Sequence, residues 1–373
     1  CLLGAWLWAS GQSPVWLPVV CAIMLLIPFS VYQSFVPLFI AGAAAMLLVQ
    51  SLFTEKPLRE QLRCALRLGI VFLAAFLLNQ AVTHVFFTRS GYLAEQLSWQ
   101  AEGFWAGCRG ILSHVRDVLL GIGVFYSAFY GLLCLLCAVL VCRDSILHKK
   151  GRARSWQLFL LAAWLAAPFY LSVVLGSRPV IRAQLVLPFA TAINAVLCIR
   201  LARAGTAGAA GAARTGAFAR VCCALGIVLS LAAALWQSAV TARLYYTDAL
   251  RQQSDYSLAV ALQEEIARFT GEPDYDGVVI FIGRKSAADN PSCLRGDVMG
   301  HSVFDWDTDA EPRYYYSTIR IIDLLNGLGS SYQRPDFQEL SDACDALSQA
   351  PCFPADGSII RVGDAVAVHL SEE

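Results

Sequence analysis

Residues 118–155 have the sequence VLLGIGVFYSAFYGLLCLLCAVLVCRDSILHKKGRARS, in which 24 mostly apolar residues are followed at once by 14 that carry five Lys or Arg. A helix needs about 20 mostly apolar residues to cross a bilayer. Cytoplasmic loops of membrane proteins carry an excess of Lys and Arg. The stretch therefore predicts a membrane-spanning helix that ends on the cytoplasmic side.

The composition of the whole chain agrees with a membrane protein. Of 373 residues, 57% are hydrophobic and 15% are charged, whereas a soluble protein carries about 25% charged residues. The net charge of zero hides a split, because residues 1–240 hold 18 Lys/Arg against 6 Asp/Glu (+12) and residues 241–373 hold 10 against 22 (−12). We expect a polytopic α-helical bundle over residues 1–240 and a small extracytoplasmic α+β domain over residues 241–373. A nucleic-acid partner is disfavoured, since no basic face is available outside the apolar half.

The apolar stretches predict seven transmembrane helices and a remnant of another at Leu2–Ala9. The seven are Val15–Phe29, Phe35–Phe53, Ala65–Phe87, Val118–Val141, Gln157–Gly176, Ala183–Leu201 and Val221–Val240. Between the first two, Pro28 and the polar residues after it mark either a turn or a kink. Since Cys1 runs straight into apolar sequence, we expect the chain to be truncated at its N-terminus.

The basic loops lie at alternate ends of successive predicted spans, at residues 54–63, 142–155 and 200–220. The positive-inside rule puts these loops in the cytoplasm. Residues 88–117 and 177–182 and the acidic C-terminal part then lie outside. The apolar positions of residues 88–117 suit amphipathic helices at the membrane interface, either as a cap on the bundle or as the wall of a portal for a lipid substrate.

The C-terminal part has the pattern of a small α+β domain. It predicts a helix over Leu244–Phe269 that continues the last span, a buried strand over Gly277–Ile282, and a closing hairpin over Gly357–Val362 and Ala365–Leu370. Two further helices are expected at Ser317–Leu328 and Pro335–Gln349. Cysteines on the outer side can persist as disulfides, and we expect one between Cys344 and Cys352, with Cys293 as a rival partner for either.

Two groups of polar residues lie at predicted outer helix ends. Polar side chains near a membrane cost free energy, so their presence there indicates a structural or functional role. Arg178 and Arg182 stand in a six-residue outside loop that contains no acidic residue. The arginine fork suits phosphate oxygens, so an anionic ligand is one interpretation and interfacial snorkelling is the other. Tyr32 and Gln33 end the first complete span, either as a polar turn between helices or as part of a cavity wall.

In the C-terminal domain, Gly300–Asp307 combines aromatic and acidic side chains. Asp305, Trp306 and Asp307 could bind a sugar, with the ring on the C–H face and the carboxylates on the hydroxyls, or they could form an ordinary acidic loop. The chain has no phosphate-binding Walker loop, no GxSxG elbow and no HExxH motif. No cofactor is identified, and no His lies near the cysteines to complete a zinc site.

Taken together, these motifs resemble a known family. The residues that carry the resemblance are Tyr32-Gln33-Ser34, the Arg178-Pro179 loop, the Gly300–Asp307 segment and the stretch Phe353–Ile359. In order and spacing they are similar to the bacterial O-antigen glucosyltransferases, which are polytopic enzymes of the class C glycosyltransferase fold. The likeness covers most of the chain, and the order and spacing of several motifs carry it.

The resemblance implies transfer of a hexose, glucose above all, from a polyprenyl-phosphate donor to a cell-surface glycan on the outer face of the bacterial cytoplasmic membrane. It implies that Arg178 holds the donor phosphate, with Arg182, Tyr32 and Gln33 beside it. It also implies that the catalytic acidic residues, and any divalent metal they bind, lie upstream of Cys1. The alternative function is a transporter or flippase of lipid-linked sugars, which would typically show paired repeats and charged residues deep within spans.

Overall fold

The computed structural model describes residues 2–9, 14, 16–32, 34–86, 99, 103–207 and 213–371. The chain divides into two compact units, Cys1–Ser238 and Ala239–Glu373. The first unit is helical, and the second contains a small sheet.

The helices of the first unit follow the predicted apolar stretches. They are α1 (Leu2–Ala9), α2 (Leu17–Val31), α3 (Phe35–Phe53), α4 (Leu58–Phe86), α5 (Phe104–Leu120), α6 (Ala128–His148), α7 (Gly151–Ala166), α8 (Tyr170–Leu175), α9 (Val186–Ala207) and α10 (Ala213–Thr270), the last of which continues into the second unit. Within the described residues, six helical segments are long and apolar enough to cross a membrane, and they indicate a multi-pass membrane protein. Helix α2, with 15 residues, is shorter than these. The number of spans and their orientation stay predictions.

The structure corrects one predicted span. Val118–Val141 is not one helix, because α5 ends at Leu120 and α6 begins at Ala128. Gly121 takes a left-handed conformation (φ 68°), and a Cβ there would lie 2.2 Å from the backbone nitrogen of Ala128. Only glycine fits so tight a reversal. Because residues 118–127 are mostly apolar, the turn is not visible in the hydropathy of the sequence.

The second unit is built on a three-stranded sheet with the order β1-β3-β2. Strand β1 (Val279–Ile282) pairs in parallel with β3 (Ala365–His369), and β3 pairs antiparallel with β2 (Ile359–Val362). The predicted strand and hairpin are therefore both present. Helices α11 (Tyr315–Gly327) and α12 (Phe337–Leu347) lie near the predicted positions.

Alternate residues of β1 and β3 enter two separate cores. Val279, Phe281 and Val368 pack with buried residues of α10 and α11, whereas Ile280 and Ala367 pack with those of α12. Side chains of a strand alternate between the two faces of a sheet, so a strand covered on both faces is apolar throughout. This is why the apolar run at residues 278–282 forms a buried strand.

The predicted disulfide is not formed in the structure. Cys344, on α12, and Cys352, which precedes β2, are not bonded to each other or to Cys293. Burial is the main cause that raises the pKa of the Cys344 thiol, and Asp345 raises it further. The pairing stays a prediction.

Candidate functional site

The loop between α8 and α9 carries both arginines singled out in the sequence. Gly176 ends α8 in a left-handed conformation (φ 72°), and a short 3-10 turn, Ile181–Ala183, leads into α9. A hydrogen bond holds the two ends of the loop together, since the Gln184 amide donates to the carbonyl of Pro179 at 2.7 Å. This brings Arg178, Arg182 and Gln184 to one end of the helical unit.

Arg178 is held by an aromatic ring. Its Nε donates to the hydroxyl of Tyr126 at 3.2 Å, and its guanidinium carbon lies 4.8 Å from the centroid of the Tyr126 ring. The side chain is 46% exposed, and one terminal nitrogen lies 4.0 Å from Oδ2 of Asp117. Although the loop contains no acid, the fold supplies one from α5. The remaining N–H groups of Arg178 make no hydrogen bond to the part of the chain that the structure describes.

Asp117 is shared between two arginines. Its Oδ1 accepts from Nε of Arg116 at 3.0 Å and from a terminal nitrogen of Arg116 at 2.8 Å, whereas its Oδ2 faces Arg178. The Asp117 side chain is 12% exposed and that of Arg116 is 59% exposed. A carboxylate of such low exposure requires charged or hydrogen-bonding partners, and here it receives both arginines.

Buried polar groups continue from Tyr126 into the unit. The Tyr126 hydroxyl donates to Oε1 of Gln184 at 3.0 Å, and Nε2 of His114 lies 3.3 Å from the same oxygen. Nδ1 of His114 lies 2.6 Å from the Ser172 hydroxyl. Since an amide oxygen only accepts, the His114 proton belongs on Nε2, and Nδ1 accepts from Ser172. Each of the side chains in this hydrogen-bonded network, Tyr126, Gln184, His114 and Ser172, then has a partner of the correct polarity.

The imidazole of His114 is 1% exposed, on a helix that is not among the membrane-spanning candidates. Burial lowers its pKa below the ordinary value of 6.5. The charge of Arg178 lowers this pKa too, whereas the Gln184 hydrogen bond and Asp117 act in the opposite direction. His114 is therefore a neutral, fully bonded group that connects α5, α8 and the arginine loop.

A cavity of 510 Å³ lies beside this network, between α6, α9 and α10. Its polar lining includes Tyr126, Arg182, Gln184 and Gln237, and most of its other lining residues are apolar or small, among them Ala195 and the Ala233-Ala234 pair. Ligand sites commonly have about 300–1,000 Å³, with mostly apolar walls and a few polar groups. The cavity suits an amphiphilic molecule with an anionic or polar end at Arg182.

The sequence-predicted residues are only partly brought together. Arg182 lines the cavity, and Arg178 does not, although Arg178 contacts Tyr126, which does. Tyr32 is not among the lining residues; it follows α2, contacts the ring of Phe35, and has a buried hydroxyl with no hydrogen-bond partner in the described part of the chain. Gln33 lies outside the described residues.

Several residues of the site were missed in the sequence. Tyr126 and Gln184 belong to no motif, and their hydrogen bond joins positions 58 residues apart. A signal did exist for His114 and Asp117. They are three residues apart on an amphipathic helix, so they share one face, and that face is the buried one.

The candidate sugar-binding residues of the second unit make contacts within it. The Trp306 ring stacks on His301, with centroids 5.9 Å apart, and lies 4.4 Å from the guanidinium carbon of Arg320. Asp307 pairs with Arg320, and Asp305 pairs with Arg295 at 3.4 Å. A sugar here would have to share or replace these contacts.

Over the described ranges, no three or more His, Cys, Asp or Glu residues lie together in a way that could hold a metal ion.

The chain has no match among curated proteins or solved structures. The family model described as glucosyl transferase GtrII matches residues 1–199, which include α1–α8, the arginine loop and most of α9. The match covers more than half of the chain and contains the arginine loop. The chain therefore belongs to the GtrII glucosyltransferase family.

Proposed function

We propose that this glucosyltransferase moves glucose from a polyprenyl-phosphate donor to a cell-surface glycan on the outer face of the bacterial cytoplasmic membrane. The observation that carries the proposal is the 510 Å³ cavity, which joins Arg182 and Gln184 to an apolar wall. A polyprenyl-phosphate sugar has an apolar tail and an anionic head. One cavity with both kinds of lining suits such a molecule better than it suits a water-soluble nucleotide sugar.

In this proposal the two arginines act on the donor phosphate. Arg182 lies in the cavity lining. Tyr126 holds the Nε of Arg178, whose terminal N–H groups make no hydrogen bond to a described residue and include one that lies 4.0 Å from Asp117. Arginine donors suit phosphate oxygens in geometry as well as in charge. Tyr32 and Gln33 remain candidates for a further wall of the donor site, and Asp305, Trp306 and Asp307 remain candidates for contact with the acceptor.

The reaction transfers the glucosyl group between two oxygens. The bond from glucose C1 to the phosphate oxygen breaks, a bond from C1 to the acceptor oxygen forms, and the acceptor hydroxyl loses its proton. Negative charge grows on the departing phosphate, where prearranged positive groups stabilise the transition state. We assign that role to Arg178 and Arg182. The released proton passes to a basic group of the enzyme or to water.

The test is glucose transfer by the full-length protein in lipid nanodiscs. Radiolabelled polyprenyl-phosphate glucose is the donor, a surface-polysaccharide fragment is the acceptor, and UDP-glucose is the control donor. We expect transfer from the lipid-linked donor alone. Arg182→Ala should lower transfer about 10- to 150-fold, as expected for loss of a charge-assisted contact of about 1.5–3 kcal/mol.

The matched control is Arg152→Ala, which removes an exposed arginine from the N-terminal turn of α7 and should transfer at the wild-type rate. Transfer from UDP-glucose alone would contradict the proposed donor. Movement of the donor across the bilayer without any glucosylated product would instead favour the transporter.

A further inference from the structure

A second cavity lies in the other unit, far along the chain from the arginine loop. It has 210 Å³ and is lined by polar and aromatic residues, among them Gln263, Asp274, Tyr275, Ser330, Ser331 and Tyr332. Sites for drug-sized ligands have about 300–1,000 Å³. The smaller volume limits the occupant to about one ring.

One wall of this cavity is fixed before any ligand binds. Asn326 clamps Tyr332 through two hydrogen bonds, from its amide to the Tyr332 carbonyl at 2.9 Å and from the Tyr332 N–H to its side-chain oxygen at 2.8 Å. Gly329, within this loop, has φ 110°, which a residue with a side chain rarely adopts. Gln263 of α10 donates to the Ser330 hydroxyl at 2.7 Å. A wall ordered in this way loses little entropy on binding.

The opposite wall presents a ring and an acid. The Tyr275 hydroxyl donates to the Asp364 carbonyl at 3.3 Å, and the rings of Tyr275 and Tyr332 lie 6.4 Å apart at 51°. The Asp274 carboxylate is exposed and makes no hydrogen bond or ion pair to any residue that the structure describes, and the same holds for the Ser331 hydroxyl. These two groups are available to a ligand.

The chemistry of the lining selects among ligand classes. Within the described part of the chain no Lys or Arg lines the cavity, and Asp274 repels anions, so phosphate and carboxylate ligands are disfavoured. An ionised carboxylate only accepts hydrogen bonds, whereas hydroxyls and amides both donate and accept. Neutral groups outnumber the single charge, which favours a polyhydroxylated neutral ligand over a simple cation. Aromatic faces carry negative potential and attract the C–H edges of a sugar ring.

We propose that this cavity binds a single neutral pyranose ring of a glycan, with Tyr275 against the ring and Asp274 and Ser331 on its hydroxyls. Binding itself is independent of the transfer reaction. Only its use, as a subsite that holds part of the acceptor glycan, rests on the proposed function.

The experiment measures binding of methyl glucopyranoside and methyl galactopyranoside to the full-length protein in nanodiscs by saturation-transfer NMR, with glycerol and choline as control probes. We expect saturable binding of at least one pyranoside with a dissociation constant of about 1 mM, because so small a ligand offers few contacts. Asp274→Asn should weaken binding at least about fivefold, since the carboxylate is a charged acceptor. Tyr275→Phe, which keeps the ring, should bind within about twofold of the wild type.

The matched control is Asp276→Asn, which removes the same charge two residues away, from an exposed side chain that does not line the cavity, and should leave binding unchanged. The proposal is overturned if no pyranoside binds, if choline binds in place of the sugars, or if Asp276→Asn weakens binding as much as Asp274→Asn does. Arg182→Ala separates the two proposals. That variant should transfer glucose about 10- to 150-fold more slowly and bind pyranosides as the wild type does. If the donor proposal fails, the binding results for the second cavity still stand.

Discussion

Arg178 and Tyr126 are joined by two contacts at once, a hydrogen bond of 3.2 Å from Nε to the hydroxyl and a cation–π contact of 4.8 Å to the same ring. The terminal N–H groups of Arg178 make no hydrogen bond to the described residues, and one of these nitrogens lies 4.0 Å from Oδ2 of Asp117. Tyr126 also lines the cavity that contains Arg182. One tyrosine therefore connects an arginine outside the cavity lining to the cavity itself.

Tyr126→Phe should separate these contacts, because it keeps the ring and removes the hydroxyl. Arg178 would lose one hydrogen bond, and the buried Gln184 oxygen would lose a donor. We expect the free energy of unfolding to fall by about 1–2 kcal/mol and glucose transfer to fall about 5- to 30-fold. Thermal unfolding and initial transfer rates measure the two effects. Tyr170→Phe is the control, since the Tyr170 hydroxyl makes no hydrogen bond to the described residues; an equal loss in that variant would contradict the role of Tyr126.

Local pattern predicted the helices and strands well. Helix α3 has the predicted bounds Phe35–Phe53, and the hairpin of β2 and β3 lies where it was expected. These features follow from the length of the apolar stretches and from the alternation of apolar and polar residues, both of which depend only on neighbouring positions. The turn at Gly121 was missed because a hydropathy window averages over the glycines that make it.

The site was less predictable than the fold. Arg178 and Arg182 were identified from their charge, their place in a short predicted outside loop and the family resemblance of that loop, but the partners that hold Arg178 come from elsewhere in the chain. Tyr126 is 52 residues away, and His114 reaches Gln184 across 70 residues. Periodicity indicates which face of a helix is buried and leaves open which helix it meets. The network therefore required the tertiary structure.

His114 should make stability depend on pH. Its pKa is lower in the folded protein than its ordinary value of 6.5, so below about 6.5 the unfolded chain binds more protons than the folded one. The stabilisation is complete above that pH and is lost as the pH falls toward the lower, folded pKa. The unfolding temperature, measured between about pH 5 and pH 8, should therefore decrease as the pH falls below about 6.5.

His114→Gln is the matched variant, because it keeps a polar side chain that does not titrate. It should be less stable at neutral pH and less sensitive to acid than the wild type. Other groups titrate in the same range, so the comparison uses the difference between the two proteins. A difference that is constant across this pH range would contradict the assignment.

The predicted topology rests on the alternating basic loops. Reporter enzymes that are active only outside the cytoplasm should be inactive when fused within residues 142–155 and active when fused within residues 250–370. The basic loop between α6 and α7 also has a structural function, because Arg154 donates to the carbonyls of Ile146 and Lys149 at the end of α6. Activity at both positions or at neither would overturn the orientation, and with it the outer-face reaction.

The pairing of Cys344 with Cys352 can be tested by alkylation under non-reducing conditions followed by mass mapping. If it forms on the oxidising side of the membrane, the peptide that carries both cysteines gains no alkyl group. The closed loop is short, so Cys352→Ala should lower the free energy of unfolding by about 2–3 kcal/mol on a chain-entropy estimate. Since burial raises the Cys344 pKa, less thiolate is present and oxidation should be slow near neutral pH. Alkylation of both cysteines in protein isolated without reductant would exclude the bond.

Arg178 gives the sharpest test of the donor site. Arg178→Ala should lower transfer from the polyprenyl-phosphate donor about 10- to 150-fold, the range for loss of a charge-assisted contact of about 1.5–3 kcal/mol. Arg178→Lys keeps the charge but loses both the fork and the Nε bond to Tyr126, so transfer should still be impaired. Arg152→Ala is the control, because Arg152 is exposed in the N-terminal turn of α7 and is not a lining residue of the cavity. It should transfer at the wild-type rate, as substitutions of exposed residues away from a site have small effects. If Arg178→Ala transfers glucose and binds donor as the wild type does, the arginine only extends to the membrane surface and the donor phosphate is held elsewhere.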